Sequence, residues 1–296
     1  LHALAATCYH HDSHNHPATA ETQSVCRTPV RGRKILVGED NAVNQMVIRK
    51  ILEHGQHLVT MVANGEQVLE AMEHDSFDLL ILDMHMPIIN GIDVVKILRY
   101  TFPERRHLPV MMLTANATKE AIQSCRDAGL DAYLTKPVTP RKLLDTVTRL
   151  VDNRANNRPD TDGPACEVAA ANTPQKTPLV NLETLNDISR VAESRDFMVK
   201  LVDDYVGNAR HLIEQISTAV AAQQYRDIPD LAHSLHGSSC SIGATRLANM
   251  AEQLSDLIQA DNQCMLQVHI NELFRVHAQT RTTLADFLQG KNIIAS

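Results

Sequence analysis

Ile81-Leu82-Asp83-Met84-His85-Met86-Pro87 is an apolar run that stops abruptly at a carboxylate and passes into a proline-containing loop. A buried strand ending in an acid puts that acid at the carboxyl edge of a sheet, where open α/β sheets bind their ligands. An earlier apolar run, Ile35-Leu36-Val37-Gly38, ends in Glu39 and Asp40. If the two strands are neighbours, three carboxylates converge. Their repulsion is unfavourable unless a cation sits among them, and the expected occupant is a hard divalent ion, Mg²⁺.

Further runs are spaced to match. Val110-Met111-Met112-Leu113 ends in Thr114, and Asp131-Ala132-Tyr133-Leu134-Thr135 ends in Lys136-Pro137. Asp40, Asp83, Thr114 and Lys136 are separated in turn by 43, 31 and 22 residues, each long enough for a strand–helix–strand crossover. Helical segments are expected at 43–53, 65–73, 91–99, 119–127 and 141–151. The alternation predicts a doubly wound α/β parallel sheet of five strands. One acid at a strand-to-helix turn often does no more than cap the helix that follows. Five chemistry-bearing positions at these spacings point to a site.

Residues 34–151 resemble a response-regulator receiver domain, a flavodoxin-like fold, with five of its motifs in order. The resemblance implies that Asp83 is the phosphoacceptor and that Glu39, Asp40 and Asp83 hold Mg²⁺ with the backbone carbonyl of His85. It implies that Thr114 and Lys136 grip the phosphoryl oxygens, that Lys136–Pro137 is a cis peptide, and that Tyr133 is the aromatic switch position. The chemistry agrees: phosphoryl transfer needs positioning, a metal and positive charge more than covalent machinery. The carboxylate of Asp83 serves as nucleophile.

From Asp152 to Pro178 the composition turns to Asn, Asp, Thr, Pro and Ala, the expected flexible linker. Beyond it only helical spacing is found: Leu182, Leu185, Ile188; then Phe197, Leu201, Val202, Tyr205, continued by Leu212, Ile213, Ile216 and Val220. Segments 228–241, 244–259 and 265–287 complete an all-α unit of the four-helix-bundle class. Within it, Ile228, Leu231, Leu235 and Ser239 share one face, while His233, His236 and Gly237 fall on another. A glycine inside a helix costs about 1 kcal/mol against alanine. One turn after His233, it clears space beside an imidazole.

Residues 179–290 resemble a histidine phosphotransfer (HPt) domain, whose signature is His-x-Leu-Lys-Gly. The resemblance implies that His233 is phosphorylated. His236 stands where the family has lysine, and as a cation it would assist the phosphoryl group.

A receiver followed by an HPt domain resembles the carboxyl end of hybrid sensor histidine kinases. Asp-x-His-Met-Pro with 66–69 and 142–146 resembles the RpfC type. No Asn-rich box or Asp-x-Gly-x-Gly loop for ATP is found, which leaves open whether the chain is itself an enzyme. The expected route runs from the histidine of an upstream sensor kinase to Asp83, then to His233, then to a downstream response-regulator receiver. A different reading makes the receiver a non-phosphorylating surface that sequesters a partner. A haloacid-type phosphatase needs a second aspartate two residues after the nucleophile, and position 85 is histidine.

Bulk properties narrow the classes. A net charge of −7, a pI near 6.1 and 3% aromatics disfavour nucleic acid as partner. No run approaches the ~18–20 apolar residues of a membrane span, so no direct membrane insertion is expected. The six cysteines form no C-x-x-C pair and fit a cytoplasmic setting, with tethering through an absent N-terminal sensor region the alternative. Residues 1–33, rich in histidine (His2, His10, His11, His14, His16), are expected to be a disordered segment, and 291–296 a tail.

Overall fold

A computed structural model describes residues 32–114, 123, 127–156, 178–259 and 263–290. The His-rich tract, the middle of the expected linker, most of the segment at 119–127 and the terminal tail lie outside the described residues. Strands β1 (Lys34–Gly38), β2 (Leu58–Val62), β3 (Leu79–Asp83), β4 (Val110–Thr114) and β5 (Ala132–Thr135) form one parallel sheet in the order β2-β1-β3-β4-β5. β1 and β3 are neighbours, with Gly38 opposite Leu82. Chain order reverses at that pair, so the crevice beyond their carboxyl ends is the topological switch point.

Period-two alternation divides the core. Ile35, Val37, Ile81 and Met111 face one side of the sheet; Leu36, Leu80, Leu82 and Met112 face the other. Every residue of β3 and β4 is buried, as expected for strands covered on both faces. Helices α1 (Ala42–His54), α2 (Gly65–His74), α3 (Gly91–Thr101) and α4 (Pro140–Asn156) cover the sheet. α4 continues past residue 151 to Asn156.

The second unit contains α5 (Leu182–Ala192), α6 (Arg195–Ala221), α7 (Ile228–Ile242), α8 (Thr245–Gln259) and α9 (Gln263–Leu288). The four long helices pack as the expected bundle around Tyr205, Leu235, Leu247, Ile270 and Leu273. Short α5 is tied to the bundle where the Asn181 N–H donates to the Gly243 carbonyl at 2.7 Å. It also packs on α1 and α4 of the α/β unit. A continuous apolar cluster therefore runs from β1 and α1 through Leu185 and Ile188 into the bundle. Among the described residues no helix is long and apolar enough to cross a membrane.

Candidate functional site at the domain junction

The carboxyl ends of β1, β3, β4 and β5 deliver Glu39, Asp83, Thr114 and Lys136, all buried, to one point. Lys136 Nζ lies 2.7 Å from Asp83 Oδ2 and 2.8 Å from Glu39 Oε2. Burial works against the lysine's charge, but the two carboxylates outweigh it and hold its pKa above the ordinary value. Burial pushes the Glu39 carboxyl up to about 7; Lys136 opposes the rise and Asp83 adds to it. Asp40, at the solvent edge, is raised by desolvation and then by Asp83. The Lys136–Pro137 bond is cis. Tyr133 is buried on β5.

One oxygen from each of Glu39, Asp40 and Asp83 lies within 4.8 Å of the others. Three hard oxygen donors, with Glu39 and Asp40 raised first by burial and then by the Asp83 charge, are the chemistry that Mg²⁺ satisfies. The residues fit the ion.

Several contributors escape a reading of the sequence alone. Asn41 caps α1, its Oδ1 accepting from the N–H groups of Val43 at 3.0 Å and Asn44 at 3.3 Å. Asn44 Nδ2 donates to Glu39 Oε1 at 2.6 Å, fixing that carboxylate. An asparagine at a buried, otherwise apolar helix position was the available signal. Gly91 begins α3 so close to the site that a Cβ would come within 2.2 Å of the Asp83 carbonyl oxygen.

The HPt-like helix α7 lies across this opening. The His233 ring faces His85 with centroids 4.4 Å apart and planes tilted by 52°. A ring nitrogen of His233 lies within 4.8 Å of an Asp83 carboxylate oxygen. Asn41 Nδ2 donates to the Ser234 carbonyl at 3.4 Å. A Cβ on Gly237 would sit 3.5 Å from Asn44 Nδ2, an ordinary contact, so α7 lies directly against α1 at this position. The imidazole expected to stand open to a second protein is covered by the chain's own receiver. Desolvation, then the neighbouring His85, lowers the His233 pKa to about 4, and Asp83 offsets this only in part. It is neutral at pH 7.

His236 is held by contacts that helical spacing does not reveal. Its Nδ1 lies 3.1 Å from the Ala248 carbonyl oxygen of α8 and its Nε2 lies 3.4 Å from Cys240 Sγ. Both ring nitrogens of the expected helper therefore have partners inside the bundle. Helical spacing placed it near His233 but could not foresee the carbonyl that holds it.

Comparison with known proteins gives the class. Residues 35–148 match the response regulator receiver domain family, and residues 200–287 match the Hpt domain family. The chain thus contains a receiver domain followed by an Hpt domain, a pairing that supports phosphorelay. It is 30% identical over 248 residues to the sensory/regulatory protein RpfC of Xanthomonas campestris, covering 83% of this chain and 33% of that protein. It is 26% identical over 258 residues to the sensor protein GacS of Pseudomonas syringae, covering 85% and 28%. The chain spans about a third or less of the length of these relatives. The receiver domain of a Pseudomonas aeruginosa sensor histidine kinase, solved with magnesium in its active-site cleft, is 34% identical with a TM-score of 0.39. That match covers 41% of this chain and 98% of the other. Receiver domains generally bind Mg²⁺ at their acidic site. The matches support phosphorelay and not the alternative of a non-phosphorylating interaction module.

Proposed function

We propose that this chain carries a phosphoryl group from Asp83 to His233 within one molecule, as the distal part of a hybrid sensor kinase. The carrying observation is the juxtaposition of the two side chains across the domain junction, within 4.8 Å. An acyl-phosphate bond plus a near-attack separation of about 3–3.5 Å spans roughly this gap. Asp83 first accepts the group from a kinase histidine outside this chain. A ring nitrogen of neutral His233 then attacks phosphorus with its lone pair, the P–O bond breaks, and its electron pair returns to the Asp83 carboxylate. His233 subsequently delivers the group to the receiver of a separate response regulator.

Glu39, Asp40 and Asp83, with the carbonyl of His85, would hold Mg²⁺, which supplies charge neutralisation at the phosphoryl oxygens. Lys136 adds a fixed positive charge, and Thr114 stands beside it to bind an oxygen. Tyr133 is the switch position. Because α7 covers the acidic crevice, the docked arrangement also excludes water from the acyl phosphate. Hydrolysis is thereby suppressed while transfer proceeds. The downstream receiver must displace the chain's own receiver to reach His233.

The test is a pulse of labelled small phosphodonor in Mg²⁺, with samples split between acid and base. Base-labile acyl phosphate should appear first and acid-labile phosphohistidine should follow at its expense. Phosphohistidine without a preceding acyl phosphate would contradict the order.

The shifted histidine also makes docking pH-dependent. His233 titrates near 6.5 in water but near 4 when docked. Docking is therefore fully supported above the undocked pKa and loses support as pH falls from about 6.5 towards 4. The raised Glu39 carboxyl acts oppositely, favouring the folded receiver at lower pH, so acid opening cannot come from it. Small-angle scattering should show a larger radius of gyration at pH 4.5 than at pH 7.5, with the change lost in His233→Gln. An unchanged radius would refute the coupling.

A further inference from the structure

The side chains of Asp83, His85 and His233 form a second cluster, of which only the Asp83 side chain also belongs to the acidic crevice. We propose that these three side chains are an interdomain binding site for a borderline divalent transition-metal ion, Zn²⁺ above all, which clamps the Hpt bundle to the receiver and arrests the relay. One carboxylate oxygen and two imidazole nitrogens lie within 4.8 Å of one another. Metal bonds of about 2.0–2.2 Å to such donors place neighbouring ligand atoms roughly 3–3.5 Å apart. Binding therefore requires the ligand atoms to draw together by roughly 1–2 Å.

The donor set selects the ion. Glu39, Asp40 and Asp83 offer oxygen alone, which suits Mg²⁺, whereas two imidazoles with one carboxylate favour zinc and its neighbours. Asp83 Oδ2 is taken by Lys136, whereas Oδ1 accepts from the His85 N–H at 3.3 Å and, among the described residues, keeps lone-pair capacity. His85 is exposed, which gives the ion a path in, while Asp83 is buried and His233 half-buried. Three protein ligands leave the fourth tetrahedral position to water.

The ligands come from the end of β3, the loop after it, and α7, so only the docked chain presents all three. A bound ion would occupy the His233 lone pair and the Asp83 oxygen that transfer requires. Zinc and Mg²⁺ would compete for Asp83. The site rests on the docked arrangement proposed above but not on phosphoryl chemistry.

The test uses the full chain with Cys8 replaced by serine and His2, His10, His11, His14 and His16 by alanine, because that tract would bind zinc itself. Zinc is titrated against a chromogenic chelator in excess Mg²⁺. One tightly held ion per chain is expected, with affinity falling at least about tenfold in His85→Ala and in His233→Ala, as loss of a ligand entails. His233→Gln serves as the second variant if His233→Ala does not fold. In parallel, zinc should slow acyl phosphate formation in the parent, and this inhibition should largely disappear in the His233 variant relative to its own zinc-free rate. A parent that binds no zinc, or variants that bind it equally, would overturn the site. Zinc that binds without slowing phosphorylation would overturn the arrest. Should Asp83 take no label at all, the relay fails while the binding result still decides the site.

Discussion

Asp83→Asn should abolish base-labile phosphorylation of the chain and, with it, all phosphohistidine formed by way of the receiver. An amide nitrogen or oxygen is a poor nucleophile toward phosphorus, and a neutral side chain is a weak Mg²⁺ ligand. The change is nearly isosteric, and Lys136 keeps its 2.8 Å contact with Glu39, so the fold should survive. Removing the Asp83 charge also relieves one of the influences that raise Glu39. The expected outcome is label at background with a cooperative melting transition retained. Base-labile label persisting on this variant would place the acceptor elsewhere.

His233→Gln should have the opposite signature: Asp83 charges normally, acid-labile phosphate is absent, and acyl phosphate accumulates. Glutamine lacks the imidazole lone pair but fills similar space against His85, and the Asn41 bond to the Ser234 carbonyl is untouched, so the junction should still close. Transfer to any downstream receiver should fall to background. His236→Gln should leave transfer largely intact, because its ring serves the α7–α8 contact through Ala248. If His236→Gln abolished transfer and His233→Gln kept it, the acceptor assignment would be reversed.

The receiver was largely legible because its signals are local. β1, β3, β4 and β5 are apolar runs that each end at a chemically distinct residue, and burial on both faces makes such runs continuous. β2 left no comparable mark. It is an edge strand whose residues, Leu58 to Val62, are exposed or half-buried, so its short apolar run carried no site residue and no sharp end. In the bundle, helical periodicity located each element, and the His233–Gly237 spacing located the face of α7 that lies against the receiver.

The junction itself was not legible. Docking depends on small or polar groups of α7, Ser234 and Gly237, meeting Asn41 and Asn44 of α1, almost two hundred residues away in sequence. Periodicity within one helix says nothing about which distant helix will complement it. The same limit explains His236, whose partner is a backbone carbonyl, and His85, whose side chain acquires a role only when α7 arrives. Lys50 over the Phe197 ring at 5.7 Å is another such contact, with no local signal on either side.

The central claim is that the phosphoryl group crosses this junction within one molecule. It is tested most directly by charging His233→Gln chains with label at Asp83, removing the donor, and adding Asp83→Asn chains that keep His233. A tethered, docked partner acts at an effective concentration of about millimolar. Label should therefore appear on the added chains' histidine slowly at micromolar protein, in proportion to their concentration, while unmixed wild type transfers at a concentration-independent rate at least about a hundredfold faster. Transfer between the two variants as fast as in wild type, at micromolar concentration, would contradict the account.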